Sequence, residues 1–185
     1  ADNEMYGMVS FVGAAIIDDL DVINNGTIGL YVQEGALSVT NTNFYDGNSA
    51  SVAAYSGSFA ELDNVNFYNG KYTNTYESVD SNGNTTTTFY HHQAQDVVAS
   101  DATLNISNAG FYGGDRSIQS YDTELTIEDA VWDEYNENCV YAYASNGAVA
   151  TIKRSTLNGI GAYAFYCNSG NMNLERVTIT NMHER

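Results

Sequence analysis

Leu37-Ser-Val39-Thr-Asn41-Thr-Asn-Phe44-Tyr45-Asp-Gly47 returns as Ala60-Glu-Leu62-Asp-Asn64-Val-Asn-Phe67-Tyr68-Asn-Gly70, and again as Leu104-Asn-Ile106-Ser-Asn108-Ala-Gly-Phe111-Tyr112-Gly-Gly114. Two apolar residues separated by one polar residue have the period of a strand, which puts the apolar pair on one face. An Asn two residues after the second apolar position marks a tight corner, because Asn tolerates left-handed backbone and its amide bonds locally. Three residues beyond the corner stands a large apolar anchor. Looser copies place Leu125, Ile127, Asp129 and Trp132 in these roles, then Ala150, Ile152, Arg154 and Leu157, then Met172, Leu174, Arg176 and Ile179. An earlier copy runs Ala15, Ile17, Asp19, Val22. From Val22 to Ile179 the anchors step by 22, 23, 44, 21, 25 and 22 residues.

A shorter strand precedes the copies, as in Leu30-Tyr-Val32, Val52-Ala-Ala-Tyr55, Val97-Val-Ala99, Ile118-Gln-Ser-Tyr121, Val140-Tyr-Ala142 and Phe165-Tyr-Cys167. Each unit therefore reads strand, short turn, strand, Asx corner, anchor, Gly turn. Leucine-rich repeats have a similar period but return through a helical segment, whereas here the return is another strand. The arrangement that fits is a solenoid in which each coil stacks on the last and like residues form ladders along the axis. In its coil length, inward aliphatic and aromatic stacks and corner Asn, the chain resembles the pectate-lyase-like superfamily, nearest to adhesin or autotransporter-passenger repeat domains. That resemblance implies an all-β, right-handed parallel β-helix of about seven coils with a repeat of about 22 residues. It also implies export. The superfamily holds polysaccharide lyases and hydrolases, phage tailspikes and adhesins, so fold alone does not choose a function.

The step of 44 residues is twice the repeat. A further coil around Phe89-Tyr90 would need Asn82, Asn84 and Thr86 at positions that are apolar or corner Asn elsewhere. Residues 71–92 read better as an inserted, protruding β-hairpin within a single 1–185 domain: two arms, Lys71 to Val79 and Thr85 to His92, flank Asn82-Gly83, a strong hairpin signal.

The chain has 185 residues, no Pro, and 22 Asn, 16 Thr, 15 Ser and 16 Gly, a mixture that suits strands and tight turns. It carries 23 acidic residues against 6 Lys and Arg, a formal charge of −17. Nucleic acids and anionic membranes are held mainly by Lys and Arg, so neither is an expected partner. No apolar run has the length of a transmembrane helix. Acidity of this degree serves solubility, cation binding or the solvated coat of an extracellular surface.

Outward positions supply the candidate contacts. Tyr45, Tyr68 and Tyr112 each follow an anchor Phe and should form a half-exposed column; Tyr72, Tyr76 and Tyr90 lie on the hairpin arms. Tyrosine joins an apolar face to a polar tip, the combination that stacks on sugars and gathers in interfaces. Asp18, Asp19 and Asp21 are the densest carboxylate group and the candidate Ca²⁺ ligands, since calcium takes oxygen donors; the same residues also read as a solvated turn. No other cofactor is expected. Glu61 with Asp63 and Asp133 with Glu134 are the candidate glycosidase pairs, which would have to face one cleft at a set separation. His91, His92 and His183 lack metal-ligand spacing. Glu128, Lys153 and Glu175 should make an alternating charge ladder, with Asp129 beside Arg154 and Arg176. Cys139 and Cys167 are offset by three residues in neighbouring coils, roughly 10 Å at strand rise. That exceeds disulfide reach, so two free thiols are expected, with Cys167 inward.

No catalytic residue is assigned. The leading expectation is a non-enzymatic, secreted structural or adhesive rod at the cell surface. It would act as a protomer of a fibre stacked end to end, or as a segment of a longer adhesin with flanking repeats, and would contact a glycan or other surface ligand. The alternative is a carbohydrate-binding or polysaccharide-degrading domain of the pectate-lyase-like class.

Overall fold

The period-2 pattern forms strands wherever it occurs, and each pattern copy occupies one turn of a parallel β-solenoid. The computed structural model describes residues 6–23, 27–47, 49–69, 72–79, 83–92, 94–135 and 138–182; Lys71 and His183 fall outside them, and the side chains of Tyr72, Tyr76, Tyr90, His91 and His92 are likewise outside the description. Three seven-stranded sheets wrap the axis. The first contains β1 (Tyr6–Phe11), β4 (Ile28–Gln33), β7 (Ala50–Tyr55), β12 (Gln95–Ser100), β15 (Arg116–Tyr121), β18 (Asn138–Tyr143) and β21 (Tyr163–Asn168). The second contains β2 (Ala14–Asp18), β5 (Ala36–Thr40), β8 (Phe59–Asp63), β13 (Thr103–Ser107), β16 (Glu124–Glu128), β19 (Val149–Lys153) and β22 (Asn171–Glu175). The anchors lie on the third: β3 (Asp21–Ile23), β6 (Asn43–Tyr45), β9 (Asn66–Tyr68), β14 (Gly110–Tyr112), β17 (Val131–Tyr135), β20 (Thr156–Ile160) and β23 (Thr178–Thr180). Every rung pairs in parallel with the next, and no helix occurs among the described residues. The predicted seven copies are thus seven rungs making about six turns.

The two predicted arms pair as a hairpin, and Asn82 of its predicted turn lies outside the described residues. β10 (Tyr72–Val79) and β11 (Thr85–His92) pair antiparallel as a separate two-stranded sheet, with Tyr72 opposite His92 and Val79 opposite Thr85. β9 and β12 flank it in the chain, yet β7 pairs directly with β12 and β9 with β14, so the solenoid continues across the insertion without losing register.

Corners follow a single backbone rule. Between the second and third sheets Asp19, Asn41, Asn64, Asn108, Asp129, Arg154 and Arg176 all have φ between 48° and 56°. Each left-handed residue turns its N–H toward the next coil: the amide of Asn41 donates to the Asp63 carbonyl at 3.3 Å, that of Asn64 to Ser107 at 3.1 Å, and that of Asn108 to Glu128 at 3.1 Å. Two further corners use left-handed residues as well, such as Glu34, Asp101 and Asp122 after the first sheet and Asp46, Asn69 and Gly113 after the third. The sequence reads these two as a short turn and a Gly turn without showing their left-handed residues, because there the residue type varies from coil to coil. The step of 25 residues is explained at one of them. A two-residue turn joins β15 to β16, whereas five residues, Ala144 to Ala148, join β18 to β19. The Asp122 carboxylate holds this wider turn by accepting from the Ser145 and Asn146 amides.

One core cluster runs along the axis. Rings at the same position in successive coils must lie one strand spacing apart, about 4.8 Å, which is stacking distance. Phe44 and Phe67 stack at 4.8 Å and 8°, Phe67 and Phe111 at 5.0 Å and 5°, and Phe111 and Trp132 at 5.0 Å and 6°. Trp132 is fully buried, and its indole N–H donates to Ser117 Oγ at 2.7 Å. Both cysteines are free. Cys139 is buried, while Cys167 is exposed instead of buried inward. Its position does align with inward-facing Ala142, but no further coil is stacked on β21 within the described residues, so the inward register leaves it open to solvent.

Replacing Phe67 by Ala should destabilise the chain by about 3–5 kcal/mol, since a fully buried ring between two others leaves a cavity. At the corner, Asn64→Ala should cost about 1–2 kcal/mol through the left-handed backbone, and Asn64→Gly less. Urea unfolding midpoints of the variants check both, and equal losses for Ala and Gly at position 64 would contradict the backbone explanation.

Candidate contact surface

Three outward features are built by the ladders. The first is the predicted tyrosine column on the third sheet. Tyr45, Tyr68 and Tyr112 are half-buried and in register, with ring centroids 5.0 Å and 5.2 Å apart and planes within 15° of parallel. An amide ladder runs beside them: Asn66 Nδ2 donates to Asn43 Oδ1 at 3.1 Å, and Asn43 Nδ2 to Asp21 Oδ1 at 3.0 Å. Gly110 stands where Asn would otherwise continue, and a side chain there would meet the Tyr112 ring and Asn66 Oδ1. Burial raises the Tyr68 hydroxyl above its usual range, and the hydroxyls of Tyr112 and Tyr45 add to the shift. The stacked faces of these rings cover one another. What the column offers a partner is its edges and hydroxyls.

The second feature lies on the outer side of the first sheet and was not singled out from the sequence. Tyr31, Tyr141 and Tyr166 occupy one outward column, with Ala53, Val98 and Gln119 between them; Tyr55, Tyr121 and Tyr143 occupy the next. Tyr141 and Tyr166, in register, stack at 5.2 Å and 6°, whereas contacts between the columns are tilted. Tyr31 and Tyr55 meet at 39°, Tyr121 and Tyr141 at 49°, and Tyr163 stands at 60° to Tyr166. Tyr163 is 55% exposed and Tyr166 38%. Glutamines fix some of the hydroxyls: Tyr31 Oη donates to Gln33 Oε1 at 2.7 Å, and Tyr121 Oη to Gln119 Oε1 at 3.0 Å. The signal was present in Leu30-Tyr31-Val32, Val140-Tyr141-Ala142 and Phe165-Tyr166-Cys167, where an apolar-Tyr-apolar triplet puts the ring outside. Tyr72, Tyr76 and Tyr90 sit on the paired arms of the hairpin, Tyr76 opposite Thr88 and Tyr90 opposite Asn74.

The third feature is a column of alternating acids and donors. At the end of the second sheet Asp18, Thr40, Asp63, Ser107, Glu128, Lys153 and Glu175 stand one above another. Thr40 Oγ1 donates to Asp18 at 2.7 Å, Ser107 Oγ to Asp63 at 2.6 Å, and Lys153 Nζ to Glu128 at 3.0 Å. Arg154 reaches back one coil to Glu128 and Asp129, both at 2.7 Å. Arg176 pairs with its neighbour Glu175 at 2.8 Å rather than with Asp129; it is two rungs from Asp129, with Arg154 between them. These bonds hold Asp63, Glu128 and Asp129 below the usual carboxylate range, chiefly through Ser107 for Asp63 and Arg154 for the other two.

The candidate acids are therefore engaged by neighbouring coils. Asp18 accepts from Asn41 as well as Thr40 and is lowered by both bonds; Asp21 accepts from Asn43; Asp19 forms the left-handed corner between them. No group of three or more His, Cys, Asp or Glu gathers in a metal-holding arrangement among the described residues. Asp63 is shifted downward, away from the raised value that suits a general acid, and Asp133 accepts from Asn158 at 2.6 Å. No helix of the described residues is long and apolar enough to cross a membrane.

No family model matches the chain, and no curated protein matches it. Among solved structures it is similar to the catalytic unit of a thermostable GH87 α-1,3-glucanase from Streptomyces thermodiastaticus, at 9% identity and a TM-score of 0.38. The match covers 88% of this chain and 44% of that one. At this similarity it bears on neither activity nor ligand.

The Ser107–Asp63 bond gives a pH prediction. A carboxylate lowered in the folded state adds stability that is complete above its unfolded value of 3.8 and is lost as pH falls through the lower folded value. Wild-type stability should therefore drop below about pH 4, and Ser107→Ala should flatten part of that drop. Urea midpoints from pH 2.5 to 6 read it out; identical slopes for the two proteins would refute the assignment.

Proposed function

We propose that the protein is a non-enzymatic structural or adhesive rod of an extracellular surface and that the tyrosines on the outer side of its first sheet are its contact face. The observation that carries this reading is the gathering of Tyr31, Tyr55, Tyr121, Tyr141, Tyr143 and Tyr166 in two adjacent outward columns of one sheet, none of them buried. A tyrosine-rich outer face of this kind offers a partner ring edges, hydroxyls and, at Tyr163 and Tyr166, exposed ring area. Tyrosine supplies broad contact area with few rotatable bonds, which suits an interface. The charge of −17 fits a solvated outer coat. Axial contact with a second protomer or with flanking repeats is part of this reading, because parallel strands of a solenoid extend by pairing edge to edge.

A second reading, a carbohydrate-binding or polysaccharide-degrading domain, draws on the same tyrosines, because exposed aromatic rings also stack on sugar rings. A panel of neutral and acidic polysaccharides, assayed for retention and for cleavage with and without Ca²⁺, separates the two. The structural reading expects no cleavage product and, by negative-stain microscopy, end-to-end rods that lengthen as concentration rises. A stable monomer that cleaves an acidic polysaccharide would overturn it. Retention on any surface should weaken at least tenfold in the Tyr141→Ser/Tyr163→Ser/Tyr166→Ser protein, with an unchanged circular-dichroism spectrum.

A further inference from the structure

Among the described residues one acid, inside the solenoid, stands apart from the others. Asp96, on β12, is 1% exposed, whereas every other carboxylate among the described side chains is half-exposed or exposed. The coils beyond it supply its surroundings. Tyr135 on β17, buried at 1%, donates its hydroxyl to Asp96 Oδ2. Ser117 on β15 is fully buried, accepts from the Trp132 indole and also hydrogen-bonds the Tyr135 hydroxyl. Cys139 on β18 is fully buried close by. The Tyr135 ring has a prepared seat, for a side chain at Gly114 would come within 2.8 Å of it. Strands from three consecutive coils thus meet at one carboxyl group, and no Lys or Arg is among the groups that perturb it. The nearby charge acting on it is Asp115, a like charge. Arg116 at the start of β15 is half-exposed, and Glu134 on β17 is exposed.

We infer that Asp96, Tyr135 and Ser117 form a proton-held latch between coils: the carboxyl group is neutral when the coils are closed on it, and its ionisation loosens them. An unpaired carboxylate in an apolar interior is strongly disfavoured, so the group keeps its proton unless the site opens to water. Burial is the main cause and pushes Asp96 up to about 8, with the Tyr135 bond acting in the opposite direction and Asp115 adding to the rise. The same burial raises the Tyr135 hydroxyl and the Cys139 thiol, so neither becomes an anion before Asp96 does. The sign is opposite to that of the surface acids. The folded state holds a proton that the unfolded chain releases near 3.8, so stability falls as pH rises from about 4 to about 8 and then levels. Acid tightens this part of the rod and mild alkali relaxes it.

Asp96→Asn is the decisive variant, since its amide oxygen still accepts from Tyr135 but carries no proton to lose. The wild-type unfolding constant, from urea titrations at pH 5 to 9, should rise by up to tenfold per pH unit towards pH 8 relative to the variant, then run parallel to it. A wild-type to variant ratio that is flat across the range overturns the latch. Should the Asn variant not fold, Tyr135→Phe gives a second test: losing a donor to the carboxylate moves the levelling point to higher pH, and an unmoved point overturns the proposal. Infrared spectra supply a readout that does not involve unfolding. The wild type should show the carbonyl stretch of a protonated carboxyl group at pH 6.5 that fades between pH 7 and 9, and its absence at pH 6.5 would refute the assignment.

Discussion

In-register stacking at one strand spacing is the constraint from which the rest of this structure follows. Each side chain must live about 4.8 Å from the residues at the same position above and below, so every column is a test of whether a residue type tolerates its own kind. Aromatic rings do, and Phe44, Phe67, Phe111 and Trp132 stack nearly coplanar. Carboxamides do, because each has a donor and an acceptor, and Asn64 Nδ2 bonds Asn41 Oδ1 at 2.7 Å. Carboxylates do not. The column from Asp18 to Glu175 shows how a chain with 23 acids and 6 cations lives with this rule: each acid is separated from the next by a hydroxyl or an ammonium group. Two strand spacings, roughly 10 Å, are about the screening length at physiological salt, so the alternation removes most like-charge repulsion along the axis while keeping the surface anionic.

The features legible in the sequence were those that recur. The anchor phenylalanines, the Asn corner, the strand in front of each copy and the hairpin at the doubled step all come from residues whose type is dictated by place in the coil. Much less legible were the corners built on Glu34, Asp101 or Asp46, where the backbone demands φ near 50° but the side chain is free to vary. The first-sheet tyrosines were visible as triplets yet gave no column of like residues, because Ala53, Val98 and Gln119 interrupt them. Asp96 was invisible for a related reason. Its register neighbours across the first sheet include Ser51, Ser117 and Cys139, all buried, and nothing in Gln95-Asp96-Val97 tells a buried acid from the solvated acids elsewhere. Cys167 failed differently: parity placed it correctly, while exposure depended on what covers its coil.

The Tyr45, Tyr68, Tyr112 column and the first-sheet tyrosines are chemically alike and structurally opposite. Perfect repetition gives the first set ring-on-ring contact that stabilises the rod and hides the faces a partner would use. Broken repetition limits the second set to two in-register pairs, Tyr121 with Tyr143 and Tyr141 with Tyr166, the latter stacked at 6°, while Tyr31 and Tyr55 pack beside Ala53 and Val98. The same opposition holds for the acids. Those in the regular column are matched by Thr40, Ser107 and Lys153 and are held ionised, whereas Asp96, placed inside at a position that the repeat fills with small or neutral residues, is held protonated.

In a solenoid, then, regular columns and functional positions compete for the same residues. A column satisfied by its own repetition has little free energy left to exchange with a ligand, a proton or a partner chain. Departures from the repeat are costly, because each must be supported by neighbours that also depart: Gly114 makes room for the Tyr135 ring, and Asp122 holds the widened turn after Tyr143. Such paired departures cluster between β12 and β19 in this chain. A proton lost at Asp96 therefore acts on a site drawn from three coils, since Tyr135, Ser117 and Cys139 meet there.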